Sequence, residues 1–69
     1  MYYNVDAVDC KFNTVVLTNI DDENDSIKIL NVAVDSIMNL SSGELLEFAN
    51  LNEIFDYFES DEFIKFGGN

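Results

Sequence analysis

Sixty-nine residues make one domain, 1–69, near the size below which disulfides, metals or self-association must supply stability. A single cysteine, Cys10, excludes an internal disulfide, and with no histidine a structural zinc site is excluded as well. Fourteen acids against three lysines give a net charge of −11, a sign that repels nucleic acid and anionic membranes, while 48% hydrophobic residues, with six Phe and three Tyr, exclude a disordered acidic tail.

Residues 2–9, YYNVDAVD, alternate, with Tyr3, Val5 and Ala7 on one face and Asn4 and Asp6 on the other. Period two predicts a half-buried strand. Residues 12–20, FNTVVLTNI, put Phe12, Thr14, Val16 and Thr18 opposite Asn13, Val15 and Leu17. Apolar residues on both faces predict a central strand. Between them Cys10-Lys11 reads as either a tight turn or a bulge in one long strand. The acidic stretch DDEND, 21–25, then reads as a loop before residues 27–40, IKILNVAVDSIMNL. As a helix, 27–40 would show Ile27, Leu30, Val34, Ile37 and Met38 as a stripe, with Asp25 or Ser26 as cap. Its density of β-branched residues favours a third strand instead.

Ser41-Ser42-Gly43 fits a three-residue hairpin loop with glycine in the left-handed position, followed by a returning strand, 44–48. Asn50-Leu51-Asn52-Glu53 reads as a capping box. Beyond it Leu51, Ile54, Phe55 and Phe58 recur at helical spacing, with Asn52, Glu53, Asp56 and Glu59 opposite, so a helix is expected near residues 51–60. Phe63, Ile64 and Phe66 follow as a last short strand or a hydrophobic tail, and Gly67-Gly68-Asn69 frays. The fold class is α+β: a small antiparallel β-meander of about four strands with one helix packed on one face.

Few chemistries survive this composition. Asp21, Glu23 and Asp25 alternate like the opening of a calcium loop. Ser26 and Val32, however, stand where that loop needs its glycine and its bidentate glutamate, so no metal is expected. No histidine can serve as a base, and Cys10 has no activating partner beyond Lys11, so neither an enzyme nor a cofactor is expected. The N-terminus has no signal-peptide pattern, and no stretch approaches the ~20 apolar residues that span a bilayer. A cytoplasmic protein is expected, in a host cell's cytoplasm if viral. Nine Asn and six Ile with no Pro, Trp, His, Arg or Gln suit an AT-rich coding source such as a virus.

Protein binding remains, and the acids are spread over every predicted element except the second strand. Helical carboxylates three residues apart make a row with spacings of about 5–7 Å, close to the phosphate step along a nucleic-acid strand. In this combination of small size, acidity, an aromatic core and no visible chemistry, the chain resembles the phage-encoded DNA-mimic inhibitors. The resemblance covers composition over the whole chain and no shared motif. It implies a host partner with a basic DNA-binding surface: a nucleoid protein of the histone-like HU type first, whose DNA cleft is sequence-neutral. Polymerase, restriction enzymes, repair glycosylases and CRISPR effectors are the other targets it implies. The candidate partner-binding residues are the loop quartet Asp21, Asp22, Glu23 and Asp25, with Glu53, Asp56 and Glu59 on the helix. The aromatic content also suits a homodimer. The alternative is a small acidic interaction domain docking through Phe63, Ile64 and Phe66 without DNA mimicry.

Overall fold

The computed structural model of the chain describes residues 1–60 and the backbone of residues 62–66. Among the described residues the elements run β1 (Tyr2–Asp9), β2 (Thr14–Asn19), β3 (Asp22–Leu30), α1 (Val34–Met38), β4 (Leu45–Glu47), α2 (Leu51–Phe58) and β5 (Glu62–Phe66). The strands form one antiparallel sheet in the order β4-β1-β2-β3-β5, so the α+β class and the helix on one face are as the sequence predicts. The first three strands are a meander. The later two do not continue it: β4 returns to the free edge of β1, and β5 adds to β3. The segment that could have been a loose docking tail thus has its backbone in the ladder with β3. The side chains of Phe63, Ile64 and Phe66, and the fraying expected of 67–69, lie outside the described residues.

Strand β2 is central, and its Val15 and Leu17 are fully buried. Flanking them on the same face are Tyr3 and Val5 from β1 and Ile27 and Ile29 from β3. Onto this face pack Val32, Ile37, Leu40, Phe48, Ile54 and Phe58, closing one core. Each such side chain removed from water contributes about 1.5–3 kcal/mol before entropy is counted. Phe48 joins the two layers, its ring 6.4 Å from Tyr3 and 6.3 Å from Phe58.

Several local expectations are corrected by pairing that no short window reveals. Ala7 is exposed rather than inward, because β1 bulges: Val5 pairs with Leu17 but Ala7 with Val16, leaving Asp6 as the extra residue. The slip moves Val8 onto the core in place of Ala7. Strand β2 begins at Thr14, not Phe12. The connection is a four-residue turn in which Asp9 Oδ1 accepts from Lys11 N at 3.0 Å and Phe12 N at 3.2 Å, and Asn13 takes a left-handed φ of 53°.

The acidic stretch 21–25 is largely strand rather than loop, with β3 starting at Asp22. Residues 27–40 are neither one strand nor one helix. The strand ends at Leu30, Asn31 turns the chain with a φ of 58°, and a five-residue helix follows. Gly43 does take a left-handed φ of 89°, as predicted. Its turn joins α1 to β4 instead of two strands, and Gly43 N is tied to Val5 O at 2.8 Å. Helix α2 stops at Phe58, two residues earlier than expected. Asn50 Oδ1 caps it by accepting from Glu53 N at 2.9 Å, as the capping pattern predicts.

Candidate protein-binding surface

The turn into β3 and the acidic start of that strand are held by their own short side chains. Asn19 Oδ1 accepts from Asp21 N at 2.9 Å, and Asp22 Oδ1 accepts from Asn24 N at 3.1 Å. These side-chain turns are why an Asn/Asp-rich sequence folds tightly here. The register then slips. Thr18 pairs with Ser26 but Asn19 with Asp22, so Glu23, Asn24 and Asp25 are excess residues on β3. The bulge divides the predicted quartet. Asp21, Asp22 and Glu23 are exposed, whereas Asp25 is partly buried. The Tyr3 hydroxyl and Asn19 Nδ2 each donate to Asp25 Oδ2 at 3.3 Å. Asp25 therefore anchors the loop to the core rather than being displayed with the other three. Burial, together with the Asp25 carboxylate, pushes the Tyr3 phenol above its ordinary pKa, since both penalise the phenolate.

On α2, Glu53, Asp56 and Glu59 are exposed, and their three-residue spacing puts them along one flank. Ile54 and Phe58 fill the inward side. Glu59 ends the helix in a left-handed conformation, φ 52° and ψ 41°, its N–H reaching Asp56 O at 3.2 Å. The loop and the start of α2 share one end of the sheet. Ile20 N bonds Tyr2 O at 3.1 Å, and Met1 N bonds Phe48 O at 2.9 Å, just before the helix begins. The far end of α2 meets α1 instead. Ala33 N reaches Phe58 O at 3.2 Å, and Ser36 Oγ donates to Tyr57 O at 3.2 Å. The seven predicted residues thus do not converge on one spot. Asp21, Asp22, Glu23 and Glu53 lie toward one end, Glu59 at the other, and Asp56 between them.

Among the described residues, the face of the sheet turned away from the helices mixes polar and apolar side chains with charges of both signs. Thr18 lies there between Asn4 and Ser26, and Val16 between Ala7 and Lys28. Its bulged acid, Asp6, accepts from Asn4 Nδ2 at 2.7 Å and from the Thr18 hydroxyl. At its edge Glu47 faces Tyr2 and, by hydrogen bonding and charge, pushes that phenol above its ordinary pKa.

Sequence reasoning missed the exposed apolar residues of α1, Val34 and Met38, because 27–40 read as a strand. The signal lay in Asn31, a residue that accepts a left-handed turn and so can end one element and start another. An open depression of about 420 Å³ is lined by Met1, Ala49, Asn50, Leu51 and Asn52, and among the described residues no carboxylate, thiol or lysine lines it. Among the described residues no group of three or more Cys, Asp or Glu is arranged to hold a metal ion, and no helix is long and apolar enough to cross a membrane. No protein-family model, curated protein or solved structure matches this chain.

Proposed function

We propose that the protein is an acidic DNA mimic that occupies the basic DNA-binding surface of a nucleic-acid-binding protein, a histone-like HU nucleoid protein first among candidates, and blocks DNA from it. The observation that carries this reading is the display of charge: ten of the twelve acidic side chains among the described residues are exposed, on both the sheet and the helices. A rigid domain holding carboxylates at roughly phosphate spacing gains the same attraction to a basic groove that DNA does. Release of counter-ions from both partners then makes the association fast and salt-dependent.

A pull-down from bacterial lysate at two salt concentrations, with duplex DNA as competitor, tests it. Nucleic-acid-binding proteins are expected at low salt, lost at high salt and displaced by DNA. Recovery of none at low salt ends the reading. With a purified partner, replacing Asp21, Asp22 and Glu23 by their amides lowers affinity without unfolding the domain, because these three side chains point into solvent.

A further inference from the structure

Charge is not evenly shared between the two faces. The two helices and the cap of the second carry Asp35, Glu53, Asp56 and Glu59 and no lysine or arginine. The lysines with described side chains lie elsewhere, Lys11 at the β1–β2 turn and Lys28 on the open sheet face. The helical layer is therefore the more uniformly negative side.

That layer also exposes apolar surface where a small helix normally shows polar residues. In α1 only Ile37 is buried, while Val34 and Met38 are 57% and 73% exposed. They stand four residues apart, so they are neighbours on one flank. Ser36, which donates to Tyr57 O on α2, is two residues from each, so the pair lies on the flank of α1 turned away from α2. A purely ionic mimic has no use for these side chains.

Resting on the reading that the protein binds a basic partner, we infer that docking takes place on the helical face, and that the partner segment presents apolar side chains together with its lysines or arginines, as a basic amphipathic helix does. Charge complementarity selects this occupant. A second copy would bring Asp35, Asp56 and Glu59 against their own like charges. An uncharged apolar partner would strip water from these carboxylates without compensation. A basic amphipathic segment covers Val34 and Met38 while its cations meet the acids of the helical layer.

Two synthetic helical peptides of equal positive charge test this, one of Lys and Leu in amphipathic order, the other of Lys and Gln. At about 0.3 M salt, where exposed charges are largely screened, the Lys/Leu peptide is expected to bind about tenfold more tightly. A Val34→Ser, Met38→Ser double variant loses that preference, whereas a Phe12→Ser variant, changing an exposed apolar residue at the β1–β2 turn, keeps it. Thermal melts of both variants confirm that they fold. Equal affinity for the two peptides overturns the inference, as does a double variant that still discriminates. So does a dimer of the free protein that the double variant abolishes. Release of DNA from purified HU is measured alongside. DNA release without peptide discrimination removes only the apolar contact, and discrimination without DNA release removes only the mimicry.

Discussion

Glu59 is the sharpest test of the local energetics. It closes α2 in the left-handed region, φ 52° and ψ 41°, where a side chain crowds its own backbone. That conformation costs a non-glycine residue about 1–2 kcal/mol. Glycine adopts it freely but loses about 0.4–1 kcal/mol of advantage through its greater freedom in the unfolded chain. Glu59→Gly is therefore expected to stabilise the domain by about 1 kcal/mol, raising the melting temperature by about 4–8 °C for a chain of this size. Glu59 is also an acid at the helix end where a cation is preferred, so part of any gain could come from charge. Glu59→Ala separates the two causes, since it removes the charge and keeps the left-handed penalty. Circular-dichroism melts of both variants decide the matter. If alanine matches glycine, the backbone argument fails and charge is the cause; if neither raises the midpoint, both arguments fail.

Asn50→Ala removes the side-chain acceptor for Glu53 N and is expected to lower stability by about 1 kcal/mol, with Asn50→Ser restoring most of it; urea midpoints check this. Tyr3 gives an alkaline signature. The fold prefers its neutral form, so its stabilising effect is complete below the ordinary phenol value of 10.0 and is lost as pH rises from there through the elevated folded value. Urea titrations between pH 8 and the alkaline limit should show a loss of stability above about pH 10 that Tyr3→Phe reduces. A Tyr3→Phe variant with an unchanged alkaline loss would assign it to other groups. Added sodium chloride should raise the melting temperature, because a net charge of −11 makes self-repulsion the dominant long-range term; a falling midpoint would mean attractive pairs outweigh it.

What could be read from the sequence depended on whether its cause was local. Helix α2 was legible because its cap, its first turn and its apolar stripe all lie within nine consecutive residues, Asn50 to Phe58. The centrality of β2 was legible because Val15, Val16 and Leu17 put apolar groups on both faces. The inward turn of Val8 was not, because it depends on where β1 slips against β2, a partner-strand property. The break at Asn31 was hidden by the β-branched residues on both sides, which favour a strand by propensity. In Val32 and Ile37 those side chains bury from a connection and a helix instead. Of the candidate site, the exposure of Asp21, Asp22 and Glu23 followed from charge alone. The withdrawal of Asp25 did not, since its contacts come from Tyr3 on another strand and from Asn19 across the bulge.

The order β4-β1-β2-β3-β5 also sets a sequence of events in folding. Residues 2–30 can pair as a meander through short connections, but Leu30 must wait for Glu62 before the outer edge of β3 is filled. Until then Ile27 and Ile29 sit on a strand whose hydrogen-bonding edge is open, the kind of edge that joins other chains into aggregates. The same strand begins with Asp22, Glu23 and Asp25. Three negative charges just ahead of the apolar run repel a second copy of that edge and act as gatekeepers while the C-terminal strand is still absent.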